Sequence, residues 1–284
     1  MKLTETNMQI ICNSDTNEGG IQVWSHIKVP SLFTNYQIQS NSNNEIALIL
    51  SSDALLGALK SASANPAAGV NIGTGGQNGA APAAVSSFET EEVVMKLAKK
   101  NSIAMLSFEV YGMTRAGRTI RVSHDVKVDV MRTADVAKLS EPMCPEPDVT
   151  VLLPPLHKIR IVVERLRPMS NILAIRGNNN GGLQLAINTE GVKVETEWRN
   201  CTNPQMRDPN NEEEDPEEKD PDQKYTVHIS IRSFLKFLNV HSVSSTTIAC
   251  ICHHHCLILY VYIGEVADAG GVLTFYIPAI IDDD

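Results

Sequence analysis

One order of elements occurs twice along this chain, and that repeat narrows the possible folds more than any other feature. Glu18-Gly19-Gly20-Ile21-Gln22-Val23 leads into a long strand pattern, then a strand at 46–50 that runs into a Ser-capped, Leu-rich helix pattern from Ser52 to Leu59. Asn180-Gly181-Gly182-Leu183-Gln184-Leu185 leads into another long strand pattern, an acidic stretch, and a strand that runs into a helix pattern from Ser233 to Leu238. Both copies finish in alternating strand runs. Such a repeat within 284 residues implies two similar units in tandem, each able to bury a core of its own. Residues 152–170, a strand end plus a helix, precede the second copy and have no counterpart before the first. The first copy is therefore expected to lack the head that the second copy has.

Period-two and β-branched runs dominate the chain: 8–12, 21–29, 46–50, 102–111, 118–130, 171–176, 183–197, 225–231, 246–252, 256–263 and 272–277. Helical candidates are few and short, at 52–62, 154–169 and 233–240. Many strands with a few helices indicate an α+β fold. Three segments break the pattern. Residues 63–87, built from Ala, Gly, Asn, Pro and Ser without apolar periodicity, are expected to be a flexible insertion. Residues 208–222 carry Pro209, Pro216 and Pro221 among acids and are expected to be a solvated loop. Residues 141–149, with Pro142, Pro145 and Pro147, read as an extended connector dividing the chain almost in half.

A net charge of −9 argues, taken alone, against nucleic acid as a partner. Its distribution reverses that reading. Nine acids against Lys219 give 208–222 a balance of −8, and Asp282, Asp283 and Asp284 add −3, so the remainder carries +2. A positive face is available if the other charges are sorted by side. With 43% hydrophobic and 20% charged residues the chain is not a disordered or collagen-like protein. No stretch approaches the roughly 20 apolar residues of a membrane span, and Met1-Lys2-Leu3-Thr4-Glu5-Thr6 has no signal-peptide core, so a soluble intracellular protein is expected. Cys12, Cys144, Cys201, Cys250, Cys252 and Cys256 follow no framework spacing and are expected to be free thiols. Without a secretion signal Asn200-Cys201-Thr202 is not read as a glycosylation site.

The helix at 154–169 is the most informative segment for chemistry. Ile159, Val162, Val163 and Leu166 make one apolar stripe, while His157, Lys158, Arg160, Arg165 and Arg167 flank it with Glu164 as the single acid. Such a face suits sequence-independent contact with phosphates, although an ordinary solvated helix surface looks the same in sequence. Arg232 and Lys236 add cations to the matching second helix. Cys250-Ile251-Cys252-His253-His254-His255-Cys256 contains zinc-type ligands, but its alternation makes 253–255 a hairpin tip without a second ligating segment, so no metal is expected. Gly73-Thr74-Gly75-Gly76-Gln77-Asn78-Gly79 is not followed by an amphipathic helix, which a phosphate loop needs. His124 and Asp125 fall on opposite faces of a strand, and there is no Gly-x-Ser-x-Gly elbow. The acidic stretch lacks the ligand pattern and Gly of a calcium loop. Nothing here suggests an enzyme or a cofactor.

Glu141-Pro142-Met143-Cys144-Pro145-Glu146-Pro147-Asp148-Val149, with Leu153-Pro154 and Val162-Val163-Glu164-Arg165, resembles the connector and first inner helix of the Hus-type subunit of the 9-1-1 checkpoint clamp. The likeness continues at Gly19-Gly20 with Trp24, at Asn43-Asn44-Glu45-Ile46, at Ala58-Leu59-Lys60 and at Phe275-Tyr276-Ile277-Pro278-Ala279, so it spans nearly the whole chain in order. The resemblance implies a PCNA-like DNA clamp: two tandem similar domains per chain and three chains per ring, with outer antiparallel sheets and inner helices around a central hole. The domains would be 1–140, N-terminally incomplete and interrupted by 63–87, and 150–284, which carries the acidic loop 208–222, joined by the connector 141–149.

On this resemblance Lys60, Lys158, Arg160, Arg165, Arg167, Arg232 and Lys236 would face DNA. A partner-binding groove would be framed by Met143, Pro145, Pro147 and Val149 of the connector and by Ile277, Pro278 and Ala279 near the C-terminus. The implied protein is a non-enzymatic, nuclear subunit of a heterotrimeric clamp that encircles damaged double-stranded DNA and recruits checkpoint and repair proteins. Its implied partners are two sister clamp subunits, of Rad9 and Rad1 type, and an ATP-dependent clamp loader. The alternatives are a homotrimeric replication-type processivity clamp and, more distantly, a Cys/His metalloenzyme.

Overall fold

The structure, a computed structural model, describes residues 1–13, 20–63, 88–114, 117–205, 220–242, 246–264 and 269–280. Most of the expected insertion at 63–87 and of the acidic loop at 208–222, together with Asp282–Asp284, lies outside the described residues. The first half runs β1 (Lys2–Leu3), β2 (Asn7–Asn13), β3 (Gln22–Lys28), α1 (Val29–Leu32), β4 (Ile46–Leu50), α2 (Ser52–Ser63), β5 (Phe88–Lys100), β6 (Ile103–Thr114), β7 (Thr119–Val130) and α3 (Thr133–Val136). The second half runs β8 (Val149–Leu152), α4 (Leu156–Leu166), β9 (Ile172–Gly177), β10 (Leu183–Asn188), β11 (Lys193–Trp198), β12 (Tyr225–Ser230), α5 (Ile231–Leu238), β13 (Thr247–Cys252), β14 (Cys256–Ile263) and β15 (Gly271–Pro278).

Contacts gather these elements into two compact units, one of Met1 with Ile46–Lys138, the other of Lys2–Glu45 with Leu139–Asp284. The break at Leu139 falls beside the proline-rich connector. Residues 2–45 go with the second half for a concrete reason: β3 pairs antiparallel with β15 from Gly271↔Ile27 to Tyr276↔Gln22, so the β2–β3 hairpin extends that unit's sheet. Grouping by contact therefore follows the sheet, whereas the division at 140 and 150 follows the repeat.

In the first unit the strands lie in the order β5-β6-β7-β4, all antiparallel. Leu106, Phe108 and Val110 of β6 and Val126 and Val128 of β7 are buried on one side, as strand alternation requires. Helix α2 lies against these strands and buries Ala58. Strand β5 was not expected from sequence, because Glu89, Glu91, Glu92, Lys96, Lys99 and Lys100 mask its alternation. It is built as half of a long hairpin whose turn residues, Asn101 and Ser102, have φ of 49° and 68°, the left-handed pair of a type I′ turn. Ser102, expected to open a strand, is thus a turn residue.

The second unit holds two sheets, one ordered β1-β2-β3-β15-β14-β13-β8 and the other β11-β10-β9-β12. Helices α4 and α5 lie side by side, and α5 packs on β12 and β15. One core joins Ile159, Val163 and Leu166 of α4 to Phe234, Phe237 and Leu238 of α5 and to Ile251, Leu257, Leu259, Phe275 and Ile277 of the larger sheet. Phe237 stacks on Phe234 at 5.6 Å and meets Phe275 edge-on at 5.2 Å. Alternation sends Cys250, Cys252, Cys256, Ile258 and Tyr276 to the opposite face, where they form a second cluster with Trp24.

Several expected boundaries move. The run at 183–197 is a hairpin, β10–β11, closed where Thr189 N donates to Val192 O at 2.9 Å. Helix α5 starts two residues before 233 because Ser230 is its cap and accepts from Ser233 N. Helix α4 is shorter than 154–169: Pro154 and Pro155 precede its first turn, and Pro168 follows Arg167 at its end. The repeat itself is visible in chain order, since β4-α2-β5-β6-β7 and β12-α5-β13-β14-β15 are both strand, helix and three antiparallel strands.

Candidate nucleic-acid interface

Helix α4 buries Leu156, Ile159, Val163 and Leu166, a stripe at helical spacing that fixes which side it shows to solvent. Lys158, Arg165 and Arg167 are exposed on that side and Arg160 is half-buried at its flank. On α5 the buried set is Ile231, Ser233, Phe234, Phe237 and Leu238, which leaves Arg232 and Lys236, one turn apart, exposed. The two helices share one core, so their outer sides form one layer. Counting Arg167 at the cap, that layer carries six cations and a single acid, Glu164.

The six are not equivalent. Arg160 Nε donates to Glu164 Oε1 at 2.8 Å and Nη1 to Asn239 Oδ1 at 2.5 Å, so it ties α4 to the 3₁₀ turn Asn239–Ser242 that follows α5. Lys158, Arg165, Arg167 and Lys236 form no ion pair among the described residues. Lys60 is exposed on α2, in the other unit. Six of the seven expected DNA-facing residues are therefore brought into one helical layer.

The connector is fastened across the other face of the larger sheet. Glu141 accepts from Tyr276 Oη at 2.7 Å and pairs with His26 Nε2 at 2.7 Å. Leu139 and Cys144 pack into the cluster around Trp24, and Cys252 Sγ donates to Pro145 O at 3.5 Å. Asp148 accepts from His253 N at 2.8 Å while its own N–H donates to Ile251 O. Burial pushes the Tyr260 hydroxyl up to about 12, and burial together with the Glu141 hydrogen bond raises Tyr276 further. His26, Glu141 and Tyr276 were not singled out from sequence, because they lie 115 and 135 residues apart and only the β3–β15 pairing brings them together.

Of the expected groove residues, Met143 is 97% exposed, and Pro145, Pro147 and Pro278 are exposed too. Val149 and Ile277 differ: at 2% and 0% exposure they belong to the helix-side core, because β8 and β15 alternate and these positions point inward. Their side chains cannot line a surface groove. Ala279 is half-buried, and its N–H donates to His255 O. His253, His254 and His255 form the turn between β13 and β14, where Thr226 N donates to His253 Nδ1. Among the described residues no three His, Cys, Asp or Glu side chains are placed to hold a metal ion together.

Comparison with known proteins places this geometry. The family model described as Hus1-like protein matches residues 1–281. Checkpoint protein hus1 of Schizosaccharomyces pombe is 31% identical over 266 residues, which cover 92% of this chain and 84% of that one. Checkpoint protein HUS1 of Homo sapiens is 30% identical over 274 residues, 95% of this chain and 85% of that one. Among solved structures, PCNA from Thermococcus kodakaraensis superimposes with a TM-score of 0.59 at 15% identity, covering 98% of this chain and 88% of that one. Proliferating Cellular Nuclear Antigen from Entamoeba histolytica gives the same TM-score at 11% identity, over 99% and 88%. The fold is thus PCNA-like, and the sequence match over nearly its full length shows that the chain belongs to the Hus1-like protein family.

Proposed function

We propose that this chain is a non-enzymatic subunit of a heterotrimeric sliding clamp that encircles duplex DNA at damage sites and recruits checkpoint and repair factors in the nucleus. The observation that carries the reading is the α4–α5 layer, with six cations against one acid on a PCNA-like fold. Lys and Arg on such a layer attract phosphates without reading sequence, which lets a closed ring slide while topology prevents its escape. The names of the yeast and human relatives supply the checkpoint context.

The sheet edges support head-to-tail closure. Inside the chain β3 joins β15, and in the repeat β11 stands where β3 stands and β7 where β15 stands. Strand β11 is the outer edge of its sheet, and β7 is paired beyond β6 only at Val128–Val130, which leaves its earlier residues open among the described residues. Sister subunits of Rad9 and Rad1 type would dock on these edges by strand addition, repeating the internal junction. An ATP-dependent loader would open the ring, and ATP hydrolysis would belong to the loader. The connector, with Met143, Pro145 and Pro147 exposed, and the strand end at Pro278 and Ala279 would offer a partner peptide its docking edge.

The test is topological retention. The assembled ring, loaded on nicked circular DNA, should stay bound in salt strong enough to screen phosphate contacts and should fall off when the circle is cut. Loss from circle and line alike would refute encirclement.

A further inference from the structure

Three of the six thiols meet where the connector crosses the larger sheet, Cys144 from the connector and Cys252 and Cys256 from the sheet. Cys252 and Cys256 lie directly opposite each other in the β13–β14 register, flanking the turn in which His255 N donates to Cys252 O at 3.0 Å and His254 has a φ of 55°. Directly opposed antiparallel residues have Cα atoms about 4.5–5.5 Å apart, inside the roughly 4.4–6.8 Å window of a disulfide. Both side chains point to the same face, and both are buried, at 0% and 5% exposure. What covers them is the connector: Cys144 packs on the cluster, and Pro145 O accepts from Cys252 Sγ.

We propose that Cys252 and Cys256 form a reactive dithiol, a modification site that a hydroperoxide converts to an intrachain disulfide when the connector lifts from it. In the first step Cys252 sulfur attacks the terminal peroxide oxygen and the O–O bond breaks. The Cys252 thiol proton passes to the departing oxygen, giving a sulfenic acid on Cys252 and an alcohol or water. In the second step Cys256 sulfur attacks Cys252 sulfur; the S–S bond forms, the S–O bond breaks, and hydroxide leaves with the Cys256 proton as water. Two thiols lose two electrons and the peroxide gains them. The order of the steps follows the hydrogen bonding: the Cys256 S–H donates to Cys252, which favours the Cys252 thiolate and holds the proton on Cys256.

Oxidation and connector docking are linked in both directions. A docked connector shields the pair, and a closed disulfide removes the Cys252 S–H that bonds Pro145 O. A ring whose connector is pinned by a bound peptide would therefore oxidise more slowly than a free one.

The experiment treats the full chain with hydrogen peroxide, blocks free thiols after denaturation, reduces, labels the thiols released and reads each position by mass spectrometry. Cys252 and Cys256 should be released together by reduction, while Cys144 stays in the blocked pool. Cys256→Ala should abolish the disulfide and leave a Cys252 sulfenic acid that dimedone traps. Glu141→Gln, which weakens the clasp at His26 and Tyr276 without touching a thiol, should raise the rate of disulfide formation roughly tenfold, the gain in opening expected when a charge-assisted hydrogen bond is lost. A disulfide that includes Cys144, oxidation confined to the exposed Cys12, or a rate unchanged by Glu141→Gln would overturn the proposal.

Discussion

Arg160 on α4 reaches Asn239 beyond the end of α5 with an Nη1–Oδ1 distance of 2.5 Å while its Nε holds Glu164 at 2.8 Å. One guanidinium thus joins the two helices and neutralises the only acid on their outer layer. That separates Arg160, which ties the helices, from the exposed Lys158, Arg165, Arg167 and Lys236, which the proposed function turns toward phosphates, a distinction that charge counting along the sequence cannot make.

Among the cations proposed to face phosphates, Lys158 and Arg165 sit on either side of the half-exposed Ile161 on the solvent side of α4. Replacing both with alanine should weaken DNA binding of the assembled ring about equally for all sequences. The slope of log affinity against log salt should become shallower by about two. Fluorescence anisotropy over a salt series reads both quantities.

Arg160→Ala should behave differently. Its cost falls mainly on folding, about 0.5–1 kcal/mol for a partly exposed tie of this kind, and the salt slope should change by less than for Lys158→Ala. Urea unfolding beside the same anisotropy series separates the two effects.

Gly181 has a φ of 75°, and a Cβ placed there would stand 2.5 Å from Cys201 O. A backbone oxygen cannot swing away as a side chain can. Gly181→Ala should therefore destabilise the chain by about 2 kcal/mol or more, combining left-handed strain with overpacking. Gly191→Ala, where nothing lies within 4 Å of the added atom, is the control and should stay within about 0.5 kcal/mol of the parent in thermal unfolding.

Glu109 accepts from Tyr111 Oη at 2.7 Å, Arg121 Nη2 at 2.7 Å and Lys96 Nζ at 3.1 Å. Those bonds, Tyr111 first, hold its carboxyl down to about 2. Because the folded state binds the proton less readily than the unfolded state, the stabilisation is complete above the ordinary carboxylate range. It is lost as pH falls from that range through about 2. Glu109→Gln should flatten this acid limb and leave the neutral-pH side parallel to the parent, as urea midpoints measured across pH would show.

The repeat and the α4 stripe were legible because helical spacing and strand alternation act over a few residues. Strand β5 was hidden because its Glu and Lys residues disguise the period, and only its partner β6 makes it a strand. The inward orientation of Val149 and Ile277 was hidden for a related reason, since it depends on which face of the sheet the helices cover. In the Leu-rich helix α2, Leu56 and Leu59 are 49% and 45% exposed, and Ala58 is the buried residue among those whose side chains are described. The clasp that joins His26 and Tyr276 through Glu141 was hidden, because its members meet only when β3 pairs with β15 and the connector crosses them.

The most direct test is light-scattering mass after size exclusion, for the chain alone and after co-expression with the two sister subunits from the same source. The account predicts a monomer alone and a 1:1:1 complex in company. A homotrimer formed by the chain alone, or a chain that stays apart from both sisters, would contradict it.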